Sequence, residues 1–139
     1  MRVGFTCSSF DLLHAGHVLM LKEAKDQCDY LIVGLQTDPT FDRPTKNKPI
    51  QGVTERYIQL SAVKYVDEIV VYATEDDLIQ ILKAYNIDVR IIGEEYKDKP
   101  FTGNDLPMEI YFNKRTHKFS STELRNRIVS AYETEIYKK

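Results

Sequence analysis

One stretch constrains the fold more than any other. Tyr30-Leu31-Ile32-Val33-Gly34-Leu35 is an apolar run without interruption. A strand with one wet face alternates apolar and polar residues, whereas a strand that does not alternate is covered on both faces. Such strands belong to parallel sheets sandwiched between helices. The rest of the chain supplies matching parts. Residues 3–7, 68–72, 89–92 and 108–112 read as four more short strands. Residues 12–28 read as a helix, with Leu13, Gly16/His17, Met20/Leu21 and Ala24 at helical spacing. A second helix is expected from an N-cap at Thr54, with Ile58, Val63 and Val66 on its apolar face, and a third over residues 75–85. The last begins at Ser120 or Ser121 and runs through Leu124, Ile128 and Tyr132.

Strands that alternate with helices are joined by right-handed crossovers. The expected fold is therefore α/β, a single Rossmann-like doubly wound domain over residues 1–139 with a five-stranded parallel sheet. Its ligand should lie at the carboxyl ends of the strands. Two loops break the pattern. Residues 37–52 hold Pro39, Pro44 and Pro49, which exclude regular structure, together with Lys46-Asn47-Lys48. Residues 96–107 contain a Thr-Gly-Asn-Asp turn signal.

A formal net charge of -2 on 139 residues argues against a protein that grips nucleic acid, which needs a basic surplus. Cys7 and Cys28 are too few for a disulfide framework and form no paired zinc pattern. With no long apolar segment, no membrane insertion is expected, and the setting expected is cytoplasmic.

Three segments carry chemistry. The first strand leads into Ser8-Ser9-Phe10-Asp11-Leu12-Leu13-His14-Ala15-Gly16-His17. Two histidines three apart at a helix start share a face, and imidazole nitrogens can bond the oxygens of a phosphate chain. The helix N-terminus adds free amides and a favourable dipole, and Gly16 leaves room for phosphate to approach. Zinc is the weaker reading, because only His117 and Cys7 remain to complete a ligand set. The second segment, Arg115-Thr116-His117-Lys118-Phe119-Ser120-Ser121-Thr122, follows the fifth strand and opens the last helix. Hydroxyls, free amides and a planar guanidinium suit phosphate there, although Ser120 with Glu123 could be no more than a capping box. The third is the Lys46-Lys48 loop, with Glu55-Arg56 beyond it, read either as a solvated surface or as a lid over a triphosphate.

The first segment resembles the HxGH signature of the cytidylyltransferases, and Arg115-Thr116 with Ser120-Ser121-Thr122 resembles their second signature. Lys48, Glu55-Arg56, Tyr65-Val66-Asp67-Glu68 and Ile87-Asp88-Val89 with Gly93 fall in the family's order. The closest likeness is to the glycerol-3-phosphate cytidylyltransferases. The resemblance implies transfer of CMP from CTP to a small phosphorylated acceptor, with magnesium accompanying the triphosphate and the protein a homodimer. It implies that His14, His17, Lys48 and Arg115 are catalytic and that no protein metal site is needed. Ser8, Ser9, Phe10, Gly16, Lys46, Gly93, Thr116, Ser120, Ser121 and Thr122 would contact nucleotide, and Asp11 and Lys64 the acceptor. Departures from the pattern fall at Ser8-Ser9 (usually Gly-Thr), at Tyr96 (usually Trp) and at Lys64 (usually Arg). The rivals are an ATP-dependent transferase, a cytidylyltransferase for another acceptor, and a nucleotide-binding module without turnover.

Overall fold

A computed structural model describes residues 1–138. Five strands, β1 (Val3–Ser8), β2 (Tyr30–Gln36), β3 (Glu68–Tyr72), β4 (Val89–Gly93) and β5 (Glu109–Asn113), pair in the order β3-β2-β1-β4-β5, all parallel. Four helices intervene or follow: α1 (Ala15–Asp26), α2 (Val53–Ser61), α3 (Glu75–Ala84) and α4 (Ser121–Lys138). β1, β2 and β3 step one way across the sheet, and β4 and β5 return to the other side of β1. The strand order therefore reverses between β1 and β4, which is where doubly wound sheets bind ligands.

The sheet is covered on both faces, as the run at residues 30–35 predicts. Leu31, Val33 and Leu35 join Leu21, Ala24, Leu60, Val89 and Ile91 in one core, all at most 2% exposed. Alternate residues Phe5, Ile32 and Tyr72 join Leu78 and Leu82 of α3 on the opposite face. Asp67 and Asp88, part of the family-like pattern, work at the amino end of the sheet. The Leu31 amide donates to Asp67 and the Val3 amide to Asp88, both at 2.8 Å, so these carboxylates align strand starts.

The second helix differs from expectation. Its N-cap is Gly52, with no side-chain bond, so Thr54 lies inside the helix. It ends at Ser61. Val63 and Val66 pack on the core from the turn that follows, and Ile58 is 63% exposed. The buried positions are Arg56 and Leu60, an arginine doing what an apolar residue was expected to do. On α4, Ile128 and Tyr132 are also exposed.

Candidate active site

The site starts from how α1 begins. His14 is the N-cap, in extended backbone, and its Nδ1 accepts from the Gly16 amide at 3.0 Å. The His14 amide in turn donates to Nδ1 of His17 at 3.1 Å. The two histidines thus form a capping box in which imidazoles replace the usual hydroxyl and carboxylate. With each Nδ1 committed as acceptor, the proton of each neutral ring sits on Nε2. Both rings are held neutral. Burial and then the charges of His117 and Arg115 push His14 below its ordinary value, and burial and then His14 push His17 down to about 4. The result is a pair of imidazoles tilted by 33°, ring centres 3.9 Å apart, each with its proton on Nε2.

The loop before α1 is strained. Phe10 and Leu12 have φ of 49° and 51°, the left-handed region that non-glycine residues avoid. Its neighbours hold it there. The Leu12 amide donates to Gln51 Oε1 at 2.8 Å, and Asp11 accepts from the amides of Ile50 and Gln51 and from Arg125 of α4, each at 2.9 Å. Burial alone would raise the Asp11 carboxyl, but the two amides and Arg125 outweigh it and hold it below the ordinary range. Arg56 completes the tie. It is 2% exposed and donates to the carbonyls of Ser9, Gln36, Thr37 and Gln51.

α4 brings the second half. Ser120 Oγ accepts from the Glu123 amide at 3.0 Å and so caps the helix, while Ser121 Oγ lies 3.2 Å from His14 Nε2. The N-termini of α1 and α4 therefore face one another. Arg115 donates to the Phe119 carbonyl at 2.7 Å, which closes the turn between them. His117 reaches the same point: a Cβ on Gly16 would stand 2.8 Å from His14 Cε1 and 3.0 Å from His117 Cε1. The space a side chain on Gly16 would take is thus occupied by imidazoles.

A cleft of about 860 Å³ opens over these groups and straddles the carboxyl edge of the sheet. Ser8, Ser9, His14, Gly16, His17, Lys46, Gly93, Arg115, Ser120 and Ser121 all line it. Six expected contacts do not. Phe10 is 1% exposed in the core, its ring 5.5 Å from that of His17, so it supports the histidine instead of touching nucleotide. Asp11 is 5% exposed with its oxygens occupied, and it braces loops instead of holding acceptor. Lys64 sits beside Leu13, Val18 and Tyr65 in a separate shallow depression. Lys48, Thr116 and Thr122 are exposed and outside the lining. The walls contain residues that the motifs do not mark: Arg43, His117, Tyr72, Glu75 and Arg90. Arg90 had a visible signal, a lone charge in the otherwise apolar run Val89-Arg90-Ile91-Ile92.

Among the described residues no three His, Cys, Asp or Glu side chains are placed to hold a metal ion. Magnesium would have to ride on the triphosphate's own oxygens, its usual mode with nucleotides. Nor, among these residues, is any helix long and apolar enough to cross a membrane.

Comparisons with known proteins show the family and the fold. The cytidylyltransferase-like family profile matches residues 5–127. The bifunctional protein HldE of Caulobacter vibrioides is 39% identical over 109 residues, covering 76% of this chain and 22% of that protein. The probable ethanolamine-phosphate cytidylyltransferase of Encephalitozoon cuniculi is 38% identical over 136 residues, 95% of this chain and 41% of that protein. The chain thus spans less than half the length of these relatives. Among solved structures, a lipopolysaccharide core biosynthesis protein from Thermoplasma volcanium superposes with a TM-score of 0.60 at 25% identity, covering 94% of this chain and 88% of that one. Pantothenate synthetase from Thermus thermophilus shares the fold at TM-score 0.61 and 13% identity, covering 91% and 64%. With two helix N-termini converging on one cleft, and with a family profile over residues 5–127, the chain belongs to the cytidylyltransferase-like nucleotidyltransferases.

Proposed function

We propose that the chain transfers CMP from CTP to a small phosphorylated acceptor, glycerol 3-phosphate, releasing pyrophosphate and leaving a CDP-linked product. The observation that carries this reading is the pair of Nε2–H imidazoles at the start of α1, facing Ser121 at the start of α4. A phosphate chain laid between the two helix ends would meet neutral donors on one side and hydroxyls, amides and the helix dipole on the other.

The acceptor's phosphate oxygen attacks the α-phosphorus in line. A new P–O bond forms as the bond to the β-phosphate oxygen breaks, and pyrophosphate leaves with that electron pair. No protein nucleophile enters. His14 and His17 donate to non-bridging oxygens as charge gathers there, which is positioning plus electrostatic stabilisation. Lys46 and Arg115 line the same cleft and offset the charge of the nucleotide, and Lys48 would join them when its loop closes. Magnesium, if carried in with the triphosphate, would supply further charge neutralisation.

A homodimer in the cytoplasm belongs to the same reading. Ile128, Tyr132 and Ile136, one turn apart along α4 and roughly half exposed, are where a second copy would be sought by sedimentation. The test of function is pyrophosphate release with CTP and ATP against a panel of phosphorylated acceptors. Release only with CTP and glycerol 3-phosphate supports the whole reading. Release with ATP, or with another acceptor alone, replaces the named substrate and keeps the transferase.

A further inference from the structure

The cleft has a second lobe on the α3 face of the sheet, lined by Cys7, Tyr72, Leu78, Arg90, Phe101 and Thr102. Arg90 sits in β4 between Val89 and Ile91, which are 0% and 2% exposed, and is itself only 4% exposed. Its guanidinium has five donors. One donates to the Thr102 carbonyl, and the plane packs on Phe101 with 5.2 Å to the ring centre. Among the described residues no carboxylate lies within 4.0 Å of it.

A buried guanidinium without a counter-charge is costly, and the position would otherwise suit leucine. The surroundings do not neutralise it. Glu75 is paired with Arg43 at 3.0 Å. Burial pushes both the Cys7 thiol and the Tyr72 hydroxyl up, so neither supplies an anion. The lobe therefore holds a positive charge with no carboxylate within 4.0 Å, its guanidinium bonded to the Thr102 carbonyl and set against the Cys7 thiol, facing a cavity.

Of the groups proposed above to hold phosphate, His14, His17, Ser120 and Ser121 lie at the starts of α1 and α4, and Lys46 on the loop before α2. In a direct transfer the acceptor's phosphate must stand beside the α-phosphorus there. An acceptor whose body crosses the strand ends would reach the α3 face of the cleft. We propose that Arg90 reads the end of the acceptor remote from its phosphate. It selects an end that offers oxygen lone pairs, hydroxyls or a carboxylate, and rejects one that carries an ammonium. This inference rests on the transfer reading of the same cleft.

The experiment measures kcat and KM with CTP for glycerol 3-phosphate, 3-phosphoglycerate and ethanolamine phosphate, in the wild type, Arg90→Gln and Arg90→Lys. Thermal midpoints are measured alongside. The wild type should favour the two oxygen-ended acceptors by at least about tenfold in kcat/KM. Arg90→Gln should erase most of that preference through the acceptor KM and leave the KM for CTP within about twofold, while Arg90→Lys keeps part of it. A wild type that favours ethanolamine phosphate overturns the inference and leaves the transfer reading standing. So does an equal loss on all three acceptors, the mark of a structural arginine, or a rise confined to the KM for CTP. If Arg90→Gln does not fold, the wild-type ranking and Arg90→Lys decide. No pyrophosphate with any acceptor, from CTP or ATP, overturns the transfer reading and this inference together.

Discussion

The two helix starts that meet over the cleft are built in different ways. α1 is locked. Its N-cap and third residue brace each other, and its body buries Leu21 and Ala24 in the core. α4 is tethered. From Asn126 to Ile136 every side chain is exposed, and the helix is held near its start by Ser120 and by the pair of Arg125 with Asp11. A braced donor pair thus faces a helix start held by fewer contacts. The comparison teaches a division of labour: α1 should set the rate, and α4 the affinity for the triphosphate.

The largest expected effect lies on the locked side. His14→Ala and His17→Ala should each lower turnover by about 10²–10³ in kcat, the usual worth of a positioned donor. Loss of the reciprocal cap should cost only about 1 kcal/mol of stability. Steady-state kinetics and thermal melts on the same preparations check both numbers. Wild-type turnover in either folded variant would remove the locked pair from the mechanism.

The tether comes next. Arg125→Leu should raise the KM for CTP by about tenfold while kcat falls less, because the donors on α1 stay in place and only the facing helix loosens. Asp11→Asn should have a similar signature plus a loss of stability of about 1–3 kcal/mol, since Asp11 also holds the Ile50 and Gln51 amides. An equal fall in kcat with KM unchanged would mean that α4 is as fixed as α1.

These variants also mark what could be read in the chain. The parallel sheet was legible from the unbroken apolar run of β2, because burial on both faces leaves no other pattern. The meeting of His14, His17, Arg115, Ser120 and Ser121 at one cleft was legible, because helix starts after strand ends converge by topology. The roles of Phe10, Asp11 and Arg56 were not. They depend on long-range partners, such as Arg125 for Asp11, that local spacing does not reveal. The place of Lys64, in a depression apart from the cleft, was not legible for a related reason: a family-like order fixes its neighbours in sequence, not where in the fold it ends.

A smaller effect follows from His17 through pH. Its folded value is pushed down to about 4 from an ordinary 6.5. The unfolded chain therefore binds a proton that the folded chain refuses between those values. Stability contributed by the neutral ring is complete above pH 6.5 and is lost as pH falls toward 4, by roughly 3 kcal/mol at most. Denaturant melts from pH 7.5 to 4 should show this slope in the wild type and a flatter one in His17→Gln. Identical slopes would show that the ring is not buried as described. Bound triphosphate should offset part of the loss, since its charge favours the imidazolium.

The smallest expected effect concerns the loop between β2 and α2, and it sharpens the contrast between fixed and movable parts. Its ends are pinned. Asp38 accepts from the Thr40 amide at 3.0 Å, Arg43 pairs with Glu75, and the Ile50 and Gln51 amides bond Asp11. Between these anchors Pro44 to Lys48 are all exposed, and only Lys46 reaches the cleft wall. Such a segment has few contacts to lose on opening. A loop free along its whole length would gain protection throughout when nucleotide binds. A loop pinned at both ends should gain it only in the middle. Hydrogen exchange with saturating CTP and magnesium should therefore slow at residues 45–48 by about tenfold or less and stay unchanged at Ile50 and Gln51. Lys48→Ala should remove most of that slowing if the second lysine closes on phosphate. Uniform protection across residues 41–52 would show that the anchors are as mobile as the tip, and unchanged exchange at the tip would end the idea that this loop acts as a lid.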